Sequence, residues 1–216
     1  SFRASNCVNG RKQLVAFAEK HHIDYEVCGK IVVATHKDEF PRLEMIRENG
    51  VKNGLEGIEI IDSTRISEIE PFIKGIKALW VPESGIIDYK AVTLKLAELI
   101  KEINPNSDII TNCEAKNFDK DEFSKVHTNL GTFTTRYIVF CGGLHSDRLA
   151  RKDKVNLDMR IVGFRGDYYD LTDVGMKKIK NLVYPVPNPE FPFLGVHFTR
   201  LVDGSVECGP NAVFTF

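Results

Sequence analysis

The sequence predicts a mixed α/β and α+β fold in two parts, with an α/β part in the middle of the chain and an antiparallel sheet built from the segments on either side. Segments with helical and strand periodicity alternate as far as about residue 150, whereas residues 155–216 are nearly all strand and turn. With 216 residues, the chain is long enough for one large or two small domains.

Apolar residues at helical spacing predict a first helix at residues 5–20, and the β-branched run Ile31–Ala34 predicts a buried strand. A second helix is expected at residues 38–49, ended by Asn49 and Gly50. Four further elements are expected in this half: strand Ile58–Ile61, a short helix capped at Asp62–Ser63 that stops before Pro71, strand Lys77–Val81 and helix 89–103 with Asp88 as N-cap. Val92, Leu96, Leu99 and Ile103 form the apolar face of helix 89–103.

The second half is predicted to be rich in strands. They are expected at 108–113, 114–118, 123–128, 132–140, 157–170, 181–186, 194–200 and 205–209, with a hairpin turn at Asp119–Asp121. Alternation of polar and apolar residues in the later strands predicts an antiparallel sheet with one face covered by helices. The expected domains are an interface helix at 1–20, an α/β portion at 88–152, and a sheet domain divided between 21–87 and 153–216.

The composition excludes several classes of function. A net charge of −1 leaves no broad basic surface for nucleic acid or anionic membrane. No apolar run is long enough to cross a bilayer, and the five cysteines are far apart without a CxxC pair, which favours free thiols in a reducing, cytosolic setting. The histidines lack the spacing of a metal site, so we expect none.

A turn at Gly142–Gly143 follows the apolar run 137–140 and precedes a short helix that Ser146 is expected to cap. Such a turn lets a backbone approach a ligand closely, and the start of the helix favours an anion such as a pyrophosphate. A plain strand, turn and helix without a ligand explains the pattern equally well. No GxGxxG motif follows a strand anywhere in this chain.

Two further stretches contain candidate site residues. Prolines rigidify residues 184–192, and the strand that follows carries His197, a candidate general base because histidine exchanges protons near neutral pH. Glycines flank Arg165, whose guanidinium is a natural carboxylate partner. The alternatives are a hydrogen-bonded histidine in a half-buried strand and a surface salt bridge for the arginine.

Five strings resemble the L-2-hydroxyglutarate oxidase/dehydrogenase family of D-amino-acid-oxidase-like, FAD-dependent oxidoreductases. They are Cys28–Thr35, Val81–Ile86, Phe164–Tyr168, Pro192–Arg200 and Asp203–Val213. The resemblance implies a partial FAD-binding, Rossmann-like domain and an antiparallel-sheet substrate domain. It also predicts that the chain is an internal fragment without the glycine-rich phosphate loop.

The same resemblance implies the chemistry of the parent enzyme: oxidation of L-2-hydroxyglutarate to 2-oxoglutarate by hydride transfer to FAD, with a quinone or oxygen as electron acceptor. Ala115, Cys141, Gly142 and Gly143 match cofactor-binding positions. From the family strings and local chemistry we expect His197 to be catalytic, and Arg165, Tyr168 and Asn211 to bind the 2-hydroxy dicarboxylate. The expected location is cytoplasmic, with possible peripheral contact with the inner membrane and no nucleic-acid partner.

Two alternatives stay open. The parent protein could be another oxidase of the same superfamily, acting on glycine, sarcosine or glycerol 3-phosphate. The isolated chain could also be a catalytically silent fragment that only folds and associates, in which case a flavin titration would be flat.

Overall fold

The computed structural model describes residues 2–190, 193 and 195–214. The helices are α1 (Phe2–His21), α2 (Phe40–Lys52), α3 (Ser63–Ile69), α4 (Tyr89–Ile103), α5 (Ser146–Lys152) and α6 (Asp173–Met176). The first strands are β1 (Tyr25–Glu26), β2 (Lys30–Ala34), β3 (Glu59–Asp62), β4 (Lys77–Val81), β5 (Ile86–Ile87), β6 (Ala115–Asp119), β7 (Ser124–Thr128) and β8 (Gly131–Thr135). They are followed by β9 (Phe164–Arg165), β10 (Tyr169–Asp170), β11 (Leu182–Pro185), β12 (His197–Arg200), β13 (Val206–Gly209) and β14 (Val213–Phe214).

The chain divides into two compact units. The first comprises the residues up to Leu96 together with Arg165–Val213, and the second comprises Ala97–Phe164 with the residues from Phe214 onward. A seven-stranded sheet dominates the first unit, and the second contains the three-stranded sheet β6-β7-β8. Two short pairs, β1 with β5 and β9 with β14, complete the described strands.

The large sheet has the strand order β10-β13-β12-β11-β2-β4-β3. Strands β2 and β11 run parallel, and every other neighbouring pair is antiparallel. The sequence predicted a mixed fold, which is confirmed, but the large sheet is mixed rather than purely antiparallel. The parallel pair joins strands that are about 150 residues apart in the chain, so local alternation could not reveal it.

Each face of the large sheet packs against helices, whereas the sequence predicted helices on one face. On the first face, Ile31, Val183 and Val206 pack around Ile66 of α3. On the second face, Val32 and Leu79 pack against Leu43 of α2, and the half-buried Tyr184 joins this cluster. Because successive residues of a strand point to opposite faces, Lys30 and Leu182 lie on the same second face as Tyr184.

A buried carboxylate anchors the segment that leads into β11. Glu70 is fully buried just after α3, and its oxygens accept hydrogen bonds from the backbone N–H groups of Lys180 and Asn181, at 2.9 and 2.5 Å. The amide of Asn181 also donates to it at 3.0 Å. Burial raises the pKa of Glu70, and these hydrogen bonds oppose that effect.

Replacing Glu70 with alanine is expected to lower the free energy of unfolding by about 2–4 kcal/mol, because buried N–H donors lose their acceptor. Chemical denaturation measures the change. Glu68→Ala is the matched control, since Glu68 lies in α3 and makes an exposed ion pair with Arg65, worth about 0.5 kcal/mol. Equal losses in the two variants would contradict the anchoring role of Glu70.

The helices of the first half lie where the sequence predicted them, except that the predicted end of α2 is wrong. Asp62 caps α3 by accepting a hydrogen bond from the Arg65 N–H at 2.9 Å, and Asp88 accepts one from the Ala91 N–H at the start of α4. Helix α2 does not end at Asn49–Gly50. Gly50 is buried inside the helix, where a Cβ would meet Ile58 at 2.6 Å.

Two strands predicted for the second unit are wrong in extent. Residues 108–113 form no strand, and β8 ends at Thr135 although a strand was expected as far as residue 140. Tyr137 and Val139 are 86% and 85% exposed. A strand needs a hydrogen-bonded neighbour, and within the described residues none lies beside these segments. The hairpin formed by β6 and β7 is confirmed.

Two other predictions from periodicity are only partly correct. The expected strand 157–170 is reduced to β9 and β10, which have two residues each. In α4, Val92 is buried, but Leu96 is exposed and Ile103 is 84% exposed, so the predicted apolar face is not buried along its length. Periodicity identifies such a face without showing what covers it.

Candidate functional site

His197 lies on the second face of the large sheet and is 5% exposed. Its ring stacks on that of Tyr184 in the neighbouring strand, with ring centroids 4.1 Å apart and planes 18° apart. Its Nδ1 lies 2.8 Å from the carbonyl oxygen of Gly195. Since a carbonyl only accepts, Nδ1 carries the proton and donates, which leaves Nε2 with a lone pair to accept a proton.

Gly209 creates room for Tyr168 next to this histidine. Gly209 pairs with His197 across β12 and β13, and a Cβ at Gly209 would lie 2.8 Å from the Tyr168 ring and from the Asp167 carbonyl oxygen. The missing side chain therefore lets Tyr168, which is exposed, lie against the backbone beside His197.

Asp167 connects Arg165 with Asn211. The Arg165 Nε lies 2.8 Å from one carboxylate oxygen of Asp167, and the Asn211 amide nitrogen donates to the other at 2.9 Å. The Asn211 amide oxygen accepts from the Asp167 N–H at 2.7 Å. These contacts, first from Asn211 and then from Arg165, lower the pKa of the Asp167 carboxyl. The Arg165 side chain is 62% exposed, and Asp167 balances its charge.

The structure thus links the four residues expected on the substrate side. A Cβ at Gly166 would meet Pro210 at 2.6 Å, Tyr168 at 3.4 Å and the Asn211 carbonyl oxygen at 3.5 Å, so the backbone of this segment lies directly against Tyr168 and Asn211. Tyr168 in turn lies beside His197. Part of the proline-bounded loop predicted before β12, namely Phe191, Pro192 and Leu194, falls outside the described residues.

A cavity of about 460 Å³ in the first unit borders this cluster through Tyr184, but its lining includes none of His197, Arg165, Tyr168 and Asn211. It is lined by residues of the chain segment 85–89 and by Leu182, Tyr184, Thr199 and Arg200. Burial raises the pKa of the Tyr184 hydroxyl, and a hydrogen bond with the Thr199 side chain opposes the rise. Arg200 forms an ion pair with Glu26, while its buried Nε makes no hydrogen bond within the described part of the chain.

Sequence reasoning missed Tyr184, Thr199 and Arg200 as residues around the site. Tyr184 precedes Pro185, and the alternation in β12 places Thr199 on the same face as His197. The alternation was a usable signal for Thr199. The predicted antiparallel sheet made β11 and β12 plausible neighbours, but only their register, with Val183 opposite Phe198, brings Tyr184 against His197.

The second unit contains a cavity of about 480 Å³ that includes three of the four expected cofactor positions, Ala115, Cys141 and Gly142. Its other lining residues are Glu114, Val139, Phe140, His145, Arg148, Leu149 and Lys152. A Cβ at Gly142 would lie 2.5 Å from Leu149, and Gly143 has a φ of 53°, so both glycines suit this backbone.

The helix after the glycine turn differs from its prediction. Residues Gly143–His145 form a 3₁₀ turn, and α5 begins at Ser146 with His145 at the N-cap position and no side-chain cap. The expected Ser146 cap is therefore wrong, because Ser146 follows the 3₁₀ turn with helical backbone angles (φ −60°, ψ −39°), whereas a capping residue has non-helical ones. The groups available for an anion are the side chains of Arg148 and Lys152, which line the cavity.

Neither a metal cluster nor a membrane span is present in the described residues. No three His, Cys, Asp or Glu side chains there are grouped so that they could hold a metal ion. The longest helices there do not have the length and apolar character that a bilayer crossing requires. All five cysteines are free.

The sequence pattern of the family described as "FAD dependent oxidoreductase" matches residues 3–215. The chain belongs to this family. Membership confirms the predicted flavin dependence and oxidoreductase class, since both are in the family's description.

The chain is also similar in sequence to individual named proteins. The chain is 42% identical to an L-2-hydroxyglutarate dehydrogenase of Indibacter alkaliphilus, over 100% of this chain and 54% of the relative. It is 37% identical to the human protein named L-2-hydroxyglutarate dehydrogenase, mitochondrial, over 100% of this chain and 49% of that protein. The chain therefore spans about half the length of the curated relatives it matches.

Solved structures share the fold at lower identity. The L-α-glycerophosphate oxidase of Mycoplasma pneumoniae superposes with a TM-score of 0.84 and 22% identity, over 100% of this chain and 58% of that structure. The glycine oxidase of Geobacillus kaustophilus superposes with a TM-score of 0.78 and 17% identity, over 97% of this chain and 55% of the other. At these identities the similarity shows the fold alone.

Proposed function

We propose that this chain is part of an enzyme that oxidises L-2-hydroxyglutarate to 2-oxoglutarate with FAD. One observation carries the proposal: the whole chain aligns with L-2-hydroxyglutarate dehydrogenases, and its resemblance strings meet at a buried histidine on one face of the sheet. Three of these segments, which contain Tyr168, His197 and Gly209, meet through the pairing of β10 with β13 and of β13 with β12.

His197 is the proposed catalytic base. Oxidation of a secondary alcohol removes a proton from the hydroxyl group and a hydride from the carbon, and FAD, when bound, supplies the hydride acceptor. The Gly195 carbonyl fixes the imidazole through Nδ1, and Tyr184 holds its plane, so Nε2 is the atom that takes the hydroxyl proton. Burial of the ring keeps bulk water away from this lone pair.

Arg165, Tyr168 and Asn211 are proposed to bind the substrate's carboxylates and shape the pocket wall. Asp167 binds one edge of the Arg165 guanidinium. The remaining N–H donors of that guanidinium are available for a carboxylate. Asn211 uses both its amide oxygen and its amide nitrogen on Asp167. Asn211 therefore acts by holding Asp167, and through it Arg165, in place.

The second unit is proposed to hold part of the FAD. Its cavity suits the group in two ways: glycine at position 142 leaves space beside Leu149, and Arg148 and Lys152 supply positive charge for phosphate oxygens. Ala115, Cys141 and Gly142 would form the wall, and Gly143 would turn the chain. The division into an FAD portion at 88–152 and a substrate sheet on either side remains part of this proposal.

Reoxidation of the flavin by a quinone or oxygen, and a cytoplasmic location with peripheral contact with the inner membrane, complete the proposal. Free cysteines throughout the chain support a reducing compartment. The names of several relatives place those proteins in mitochondria.

The test is anaerobic bleaching of the flavin in the full-length protein. L-2-hydroxyglutarate is expected to bleach the flavin absorbance within seconds, whereas glycine, sarcosine and glycerol 3-phosphate at equal concentration leave it oxidised. Absorbance near the flavin maximum follows the reaction in a stopped-flow instrument. Bleaching by glycerol 3-phosphate alone would replace the proposal with the activity of the glycerophosphate oxidase that shares this fold.

A further inference from the structure

Lys30 occupies a position where lysine is unusual. It begins β2, a central strand of the large sheet, and pairs with Leu182 on one side and Val81 on the other. It points to the face that carries Tyr184 and His197. Its ammonium lies 5.3 Å from the centroid of the Tyr184 ring, and the other neighbour of that ring is the His197 imidazole at 4.1 Å. The two groups therefore flank one aromatic ring.

The charge of Lys30 has no counter-ion. Across residues 2–190, 193 and 195–214, its ammonium makes neither an ion pair nor a hydrogen bond. Burial lowers the pKa of Lys30, and the Cys7 thiol of α1, a titratable group close to it, opposes that effect only weakly. Lys30 is half-buried, so its cation loses part of its hydration without gaining an ion pair, a cost that most lysines avoid by extending into water.

Three arginines of the first unit differ from Lys30 in this respect. Arg200 pairs with Glu26, Arg165 pairs with Asp167, and Arg11 pairs with Glu83. Each of these guanidinium groups already has a carboxylate. A dicarboxylate that enters this face brings two negative charges, and Lys30 is a cation of this face that has no carboxylate partner within the described part of the chain.

We infer that Lys30 binds the second carboxylate of the substrate, the one remote from the reacting carbon, and so selects dicarboxylates over monocarboxylates. The inference rests on the proposed function. Leu182 and Tyr184, which neighbour Lys30 on this face, line the cavity of about 460 Å³, so Lys30 lies behind the wall of that cavity. The His197 imidazole stacks on the same Tyr184 ring that the Lys30 ammonium approaches.

The test compares glutarate with pentanoate in the flavin-loaded, full-length protein and its Lys30→Met variant. The two probes have five carbons each and no hydroxyl group, so they bind without reacting and differ in one carboxylate. Isothermal titration calorimetry is expected to show that Lys30→Met weakens glutarate binding about 30-fold and pentanoate binding less than about 3-fold. The melting temperature of the unliganded variant is expected to rise slightly, since a half-buried charge without an ion pair is removed.

Two variants control for packing and charge. Lys77→Met removes another strand lysine that lies over an aromatic ring, 4.4 Å from the Phe40 centroid, and leaves both affinities unchanged. Lys30→Arg keeps the charge and retains the preference for glutarate. Should Lys30→Met not fold, Lys30→Gln replaces it in the same comparison.

Equal weakening of both probes, or unchanged glutarate binding in Lys30→Met, overturns the inference. That result leaves the proposed function standing if L-2-hydroxyglutarate still bleaches the flavin of the unmodified protein. Conversely, absence of bleaching together with a selective loss of glutarate binding rejects the proposed reaction and keeps the role of Lys30 as a carboxylate site.

Discussion

Flavin reduction by L-2-hydroxyglutarate is expected to slow about 10²- to 10⁴-fold when His197 is replaced with alanine. The hydroxyl proton then has no acceptor at the position of Nε2, so charge develops on the substrate oxygen without relief. The imidazole takes part in the reaction and does not bind a carboxylate. We therefore expect the flavin reduction rate to change more than the KM. Anaerobic stopped-flow measurements on the full-length protein give both quantities.

The control must separate chemistry from packing, since the His197 ring is buried against Tyr184. His197→Gln fills part of the same volume and restores a polar contact with Gly195, yet it cannot take up the proton. We expect it to recover the melting temperature but not the rate. His127→Ala, in the exposed hairpin of the second unit, leaves the rate unchanged. Near-normal flavin reduction in His197→Ala would remove this residue from the role of base.

Gly29→Ala is expected to lower the free energy of unfolding by about 2–5 kcal/mol. Gly29 has a φ of 86°, which costs an alanine about 1–2 kcal/mol. An added Cβ would also overlap the indole ring of Trp80, and overpacking of this kind costs about 1–3 kcal/mol more. The melting temperature should fall by about 10 °C for a unit of this size. Chemical denaturation followed by Trp80 fluorescence reports the loss directly.

Gly54→Ala isolates the backbone part of this effect. Gly54 has a φ of 83°, similar to that of Gly29, and open space around its Cα. We therefore expect Gly54→Ala to cost only the conformational term of about 1–2 kcal/mol. If both variants lose the same stability, the contact between Gly29 and Trp80 is not tight, and the packing explanation is wrong. The outcome also concerns the site, because Gly29 precedes Lys30 and its carbonyl accepts a hydrogen bond from the Leu182 N–H.

Local signals in the sequence were enough to predict most helices and the strands of the first unit. The caps at Asp62 and Asp88 work as predicted because a carboxylate that accepts a bond from the N–H three residues later needs only local backbone. Gly50 shows where such signals fail. A glycine near a helix end usually terminates it, but here the small residue is needed inside the helix to make room for Ile58.

The strands at 108–113 and 136–140 were predicted from apolar composition alone and are absent. A strand is completed by hydrogen bonds to a neighbour that is distant in the chain, so composition is a weak guide where no neighbour lies alongside. Strands β11 and β12 also depend on hydrogen bonds to neighbouring strands, and both of them form. Each is short, and each is held by partners on both sides within the large sheet.

By itself, the sequence determined the class of the fold, the family and the candidate residues, because periodicity, glycine turns and long family strings are properties of contiguous residues. Only the tertiary structure decided how those residues combine. It placed Tyr184 against His197, paired Arg165 with Asp167, and left the Lys30 ammonium without a counter-ion on the same face. The position of Lys30 beside Tyr184 depends on the pairing of β2 with β11, which lie about 150 residues apart, and nothing in the local sequence encodes that pairing. The other two contacts join residues close in sequence, and the side-chain conformations of the folded chain decided them.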